Sequence, residues 1–240
     1  MLTDMRTRFL NRFVLVSLAM LATHDLGAQT STRMSDANLS RYAAANARLG
    51  APKAEEQRVV FMGNSITEAW ASHFATMFPG RPYVGRGISG ETTRQMRARF
   101  ADDVIALAPR VVVILAGTND IAGNEGPVSN EVIQQNIAAM ADSARAHGIR
   151  VVLCAVLPVY DYPWRPGLEP APRIVALNRW LAEYAVQHND VFVDLHTPLA
   201  DARQGLPKQY AEDGVHPNLA GYRVMSPLVE AGIQRALGAR

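Results

Sequence analysis

A serine, a histidine and a carboxylate are the set needed for nucleophilic acyl transfer, and this chain carries all three in turn-like segments. Ser65 stands in Gly63-Asn64-Ser65-Ile66-Thr67, directly after the apolar run Val59 to Met62. A serine at a strand-to-helix turn exposes its hydroxyl and sets its backbone N–H at the positive end of the helix, where developing negative charge is favoured. His216 stands in Asp213-Gly214-Val215-His216-Pro217. Asp213, three residues earlier across a tight glycine turn, can hold the imidazole in the tautomer that leaves its other nitrogen free to take the serine proton. An oxyanion needs donors placed where charge develops. The candidates are the Ser65 N–H, the Gly90 N–H in Gly87-Ile88-Ser89-Gly90-Glu91-Thr92-Thr93, and the Asn119 side-chain amide in Gly117-Thr118-Asn119-Asp120.

Such segments converge only if the scaffold presents them at one edge. From about Arg58 the sequence alternates short β-branched runs with longer stretches of helical period, the pattern of strands crossed over by helices. Strands are predicted at Val59–Met62, Tyr83–Ile88, Val111–Ala116, Val151–Leu157 and Val191–Leu195. Helices are predicted over Ile66–Met77, through Met96, Phe100, Val104 and Leu107, through Val132 to Ala144, through Ile174 to Tyr184, and from Leu219 to about Leu237. The almost wholly apolar third run reads as a central parallel strand covered on both faces. Five strands joined by helices predict an α/β protein, a three-layer α/β/α sandwich on a parallel sheet. The four polar segments then fall beyond carboxyl ends of strands, where open parallel sheets bind ligands.

The composition agrees with one globular domain: 240 residues, 48% hydrophobic and 19% charged. With 24 Lys and Arg against 22 Asp and Glu, and no basic block, nucleic acid is excluded as an expected partner. The single cysteine, Cys154, excludes an intrachain disulfide and multi-cysteine metal sites, and its place in an apolar run predicts an inert buried thiol. Arg6, Arg8 and Arg12, the apolar run Phe13 to Ala22, and Gly27-Ala28 before Gln29 read as a secretory signal over 1–28. The apolar run is too short to span a bilayer. Residues 29–57 read as an extension packing on the domain, and 58–240 as the domain itself. The expected location is periplasmic or extracellular.

Taken together, the motifs make the chain resemble the SGNH, or GDSL-type, hydrolases from Val59 to the last helix. Gly63-Asn64-Ser65 matches the family's G-D-S motif, with asparagine in place of aspartate. Gly90 matches its oxyanion glycine, Gly117-Thr118-Asn119-Asp120 its G-x-N-D block, and Asp213 to His216 its D-x-x-H block. The resemblance implies a five-stranded, flavodoxin-like α/β/α fold, and esterase, lipase, thioesterase or carbohydrate O-deacetylase activity without metal or cofactor. It implies Ser65, His216 and Asp213 as catalytic residues and Ser65, Gly90 and Asn119 as the oxyanion hole. Asn64 is expected to keep its turn while removing one negative charge beside the nucleophile.

The proline-rich segment Pro158 to Gly167 is expected to form a lip over the catalytic edge. Its Tyr160, Tyr162, Trp164 and Arg165 join Asn64 as candidate substrate-binding residues. His196 is a candidate for a supporting role behind the catalytic groups, whereas His73, His147 and His188 are expected in surface or packing positions. The expected substrate is a small-molecule or glycan ester with a short acyl group, since no long apolar insertion interrupts the motifs. A broader esterase, thioesterase or lysophospholipase is the alternative within the enzyme class. A carbohydrate-binding protein on the same fold, without turnover, is the alternative outside it. Oligomeric state is left open.

Overall fold

The computed structural model describes residues 38–238. The signal read at 1–28 and the first part of the 29–57 extension lie outside them. The chain divides into two units, Met1–Arg41 and Tyr42–Arg240. In the first, the Arg41 N–H donates to the Asn38 carbonyl at 3.3 Å. The second begins with α1 (Ala43–Leu49), β1 (Val59–Gly63), α2 (Ser65–Ala71), α3 (Phe74–Met77) and β2 (Tyr83–Gly87). It continues with α4 (Thr93–Ala98), α5 (Phe100–Asp103), a 3-10 turn (Ile105–Leu107), β3 (Val111–Leu115) and α6 (Thr118–Ile121). α7 (Asn130–Ala146), β4 (Arg150–Cys154), α8 (Ala171–His188), β5 (Val191–Val193) and α9 (Leu219–Gly238) complete it.

The five strands form one parallel sheet in the order β2-β1-β3-β4-β5, flanked by helices as the periodicity predicts. Because side chains alternate across a strand, β1, β3 and β4 feed two cores. Val60, Met62, Val112, Ile114, Val151 and Leu153 pack with Ile133, Ile137, Ile174 and Leu177 of α7 and α8. Val59, Phe61, Val111, Val113, Val152 and Cys154 pack with Trp70 of α2 and Met225 and Val229 of α9. Cys154 is fully enclosed, and burial pushes its thiol pKa up, as expected for an inert thiol.

Register decides where the loops begin. Gly63, the last residue of β1, pairs with Gly87 at the end of β2 and with Leu115 at the end of β3. The segments carrying Ser65, Gly90 and Asn119 therefore leave the sheet at one level. A side chain at Gly63 would meet Thr67 Oγ1 at 2.1 Å and the Leu115 carbonyl at 2.9 Å, so the chain turns into α2 without room for a Cβ.

Two predicted helices are corrected. The stretch Ile66–Met77 is two helices separated at Ser72-His73, where the Ser72 hydroxyl donates to the Ala69 carbonyl at 2.7 Å and competes with the backbone ladder. The stretch through Met96 to Leu107 is three short pieces. It breaks at Arg99 (φ −101°, ψ 4°) and again at Val104 (φ −127°, ψ −61°). Its apolar spacing still holds, since Met96, Phe100, Val104 and Leu107 all reach the core.

Candidate active site

Ser65 is the first residue of α2, and Asn64 caps that helix: its Oδ1 accepts the Ile66 N–H at 3.0 Å. The cap fixes the sharp turn after β1, leaving Ser65 partly exposed above a buried Asn64. Across the edge, the Ser65 Oγ lies 2.9 Å from His216 Nε2, and His216 Nδ1 lies 2.6 Å from Asp213 Oδ2. The other carboxylate oxygen, Oδ1, accepts the N–H groups of Val215 at 2.9 Å and His216 at 2.8 Å, so the turn itself aims the carboxylate. Partial burial would raise the Asp213 pKa, but the bonds from the His216 ring and the two backbone N–H groups outweigh it and hold the carboxyl below its ordinary 3.8. Asp213 is thus a carboxylate at neutral pH.

The helices on either side hold this relay in place. Trp70 of α2 stacks on Tyr222 of α9 with ring centroids 5.6 Å apart, and its indole N–H donates to Ser226 Oγ at 3.2 Å. The Tyr222 hydroxyl donates to the Ile66 carbonyl at 2.8 Å. The helix that begins at Ser65 is therefore bonded directly to the helix that follows His216.

The loops of the candidate oxyanion donors are tied to the same frame. The Ile88 N–H donates to the Gly63 carbonyl at 3.2 Å, and Glu68 of α2 accepts the Ser89 N–H at 2.8 Å. Gly90 is exposed with φ +80°, a conformation that glycine adopts freely and that turns the chain at this point. Asn119 is buried, and its Nδ2 donates to the Glu91 carbonyl at 2.9 Å. This bond engages one of the two amide hydrogens and ties the Asn119 side chain to the residue after Gly90. Asp120 is buried and accepts the Thr93 N–H at 2.9 Å and the Thr93 hydroxyl at 2.6 Å, joining the third loop to α4. Asn124 was not singled out by sequence motifs, yet its Nδ2 donates to the Gly90 carbonyl at 3.1 Å. Its only sequence signal is its place five residues after Asn119 in the same loop.

If Asn119 grips the developing oxyanion more than the neutral carbonyl, Asn119→Ala should lower kcat by about 100- to 1000-fold with a much smaller change in ground-state binding. Turnover and a direct binding measurement on the folded variant check this. Equal losses in both would make the side chain a uniform substrate contact.

Two of the candidate substrate-binding residues are corrected. Asn64 is 1% exposed and committed to its cap. Tyr162 is 0% exposed, with its hydroxyl 2.8 Å from Thr118 Oγ1 and donating to the Thr118 carbonyl at 3.0 Å. Tyr162 instead anchors the lip to the third loop. Tyr160 and Trp164 remain available: both rings are exposed, Trp164 lies 6.1 Å from the His216 ring, and Arg203 covers Tyr160 at 4.6 Å. Arg165 is exposed and lies beside the third loop, where a side chain at Gly123 would meet its Nη1 at 3.1 Å. His196 is buried and its Nε2 has no hydrogen-bond partner; burial lowers its pKa. His147 and His188 are exposed and His73 borders the Tyr222 ring at 5.8 Å. Among the described residues no cluster of His, Cys, Asp or Glu could hold a metal ion, and no helix is long and apolar enough to cross a membrane.

Comparison with known proteins finds relatives of the chain. A family model described as GDSL-like Lipase/Acylhydrolase matches residues 61–224. A crystal structure of a GDSL-like lipase from Bacteroides thetaiotaomicron is 43% identical, covers 83% of this chain and 98% of its own, and has a TM-score of 0.80. An acetylxylan esterase from Geobacillus stearothermophilus is 30% identical over 60% of this chain and 68% of its own. An acetylxylan esterase from Xylanibacter ruminicola is 25% identical over 77% of this chain. The chain spans about half the length of the first curated relatives it matches, 52% and 44%.

Proposed function

The chain belongs to the GDSL-like lipase/acylhydrolase family, and from that premise we propose that it is a secreted or periplasmic serine esterase removing short acyl groups, acetyl above all, from carbohydrate alcohols. One observation carries the reading: the continuous Ser65–His216–Asp213 relay, with contacts of 2.9 and 2.6 Å. His216 takes the Ser65 proton as Oγ bonds to the acyl carbon, then returns it to the departing alcohol oxygen. A water repeats the sequence on the acyl-serine and releases the acid. The Ser65 N–H, the Gly90 N–H and the Asn119 amide are the proposed oxyanion donors.

The lean to small acyl groups is supported by the sequence, in which no long apolar insertion interrupts the motifs to build a groove or lid for an extended chain. The lean to carbohydrate is supported by the exposed Trp164 beside the His216 ring, on which a sugar ring can stack, and by the acetylxylan esterases among the relatives. On a series of p-nitrophenyl esters the rate should peak at acetate or propionate, and the enzyme should release acetate from acetylated polysaccharides. A peak at eight or more carbons would overturn the short-acyl reading. Export is read from the exported protein's N-terminus, expected at or near Gln29; intact Met1 on cytoplasmic protein would overturn it.

A further inference from the structure

Arg99 places a cation in the interior directly behind the site. Its side chain is fully buried, a position that is unfavourable unless its donors are met. Four of its five N–H donors are met, from four separate stretches of chain. Nε donates to Glu91 Oε2 at 2.7 Å, Nη1 to Asp103 Oδ2 at 2.8 Å, and Nη2 to the carbonyls of Arg86 at 2.8 Å and Gly63 at 3.2 Å. Gly63 ends β1 two residues before Ser65, Arg86 lies at the end of β2, and Glu91 directly follows Gly90. The main chain bends to allow it, since the helical run breaks at Arg99 itself.

The Glu91 carboxylate is buried too, and its Oε1 has no hydrogen-bond partner. Burial raises its pKa, and Arg99 is the chief opposing influence. An ion pair with an orphaned oxygen is a poor device for stability, because apolar replacements of such pairs are often neutral or stabilising. What no apolar side chain could do is bridge the Gly63 carbonyl to Glu91. From Glu91 the frame continues outward: its carbonyl receives Asn119, and the Gly90 carbonyl receives Asn124. Arg99 also offsets a negative charge that would otherwise oppose an oxyanion forming beside Gly90.

We propose that Arg99, paired with Glu91, is a positioning residue for ester hydrolysis, locking the Ser65 turn and the Gly90 loop at one separation so that the oxyanion donors stand where charge develops. The inference rests on the roles proposed above for Ser65 and Gly90.

A matched control exists at the other end of β1. Arg58 is likewise buried, with Nη1 donating to the carbonyls of Gly50 at 2.8 Å and Leu107 at 3.0 Å and Nε to Glu56 at 2.8 Å. Arg58→Lys and Arg99→Lys should both lower the melting temperature. Only Arg99→Lys should lower kcat, by about 10- to 100-fold, the scale of a small misplacement of catalytic groups. Binding of a non-hydrolysable ester analogue should change by less than about threefold, while affinity for a trifluoromethyl ketone, which adds to Ser65 as a tetrahedral oxyanion, should fall in step with kcat. Equal kcat in the two lysine variants, or an equal loss of analogue binding, would overturn the proposal. If Arg99→Lys does not fold, the triple variant Glu91→Gln, Arg99→Gln and Asp103→Asn removes all three charges of the buried cluster together and is read in the same way. Failure of that variant to fold, while Arg58→Lys folds, would make Arg99 a folding residue and also overturn it. A parent protein with neither turnover nor ketone binding would instead overturn the assignment of Ser65.

Discussion

Ser65→Ala is expected to lower kcat by about a million-fold while leaving the protein folded and substrate binding nearly intact. The size follows from what the hydroxyl does. Without Oγ no acyl-serine forms, and His216 has no proton to take from the enzyme; what remains is attack by a loosely held water. The variant should keep its structure because the Ser65 side chain makes its bond to His216, whereas the helix start depends on Asn64 Oδ1 and the Tyr222 hydroxyl. Two measurements check this together. Acetate release should fall to background, and a fluorophosphonate that labels the parent at one serine should not label the variant. Undiminished hydrolysis would remove Ser65 from the mechanism, and saturable sugar binding by an inactive parent would favour a binding protein on this fold.

The parts of this site that could be read from the sequence are those a strand end dictates. Ser65, Gly90 and Asn119 follow apolar runs whose parallel pairing forces their loops to one level, and the register of Gly63 with Gly87 and Leu115 bears this out. Asp213 and His216 are three residues apart, so one turn decides their contact. Contacts between distant segments were not legible. Arg99 looks like one of several solvent-facing arginines on a helix, because apolar spacing carries no information about a bridge from its guanidinium to Gly63, 36 positions away. Tyr162 looks like part of an aromatic lip, and only its bond to Thr118, 44 positions away, turns it inward. Asn64 reads equally well as a functional residue or a mere turn residue until its burial and its cap bond to the Ile66 N–H are known.

Asp213→Asn tests the relay from its far end, and the structure dictates which way the new amide must face. Oδ1 accepts two backbone N–H groups, from Val215 and His216. An asparagine must therefore keep its oxygen at that position, because an NH2 there would oppose two donors. Its NH2 then occupies the Oδ2 position, facing His216 Nδ1. Nδ1 must accept, so the ring proton moves to Nε2, the atom that has to take the proton from Ser65. The side chain keeps nearly its shape and the turn keeps its bonds, yet the base is in the wrong tautomer. kcat is expected to fall by about 10,000-fold with little change in ground-state binding. The pH dependence carries a second sign. With its carboxyl held below 3.8, Asp213 stays charged above about pH 4 and contributes stability there, which is lost as pH falls through its depressed pKa. Asp213→Asn should remove that contribution at neutral pH and flatten the acid side of the stability curve. Nitrogen-15 NMR of the His216 ring, beside kcat and melting temperature against pH, decides the matter. A variant with near-normal turnover, or one whose ring proton stays on Nδ1, would show that Asp213 does not set the tautomer.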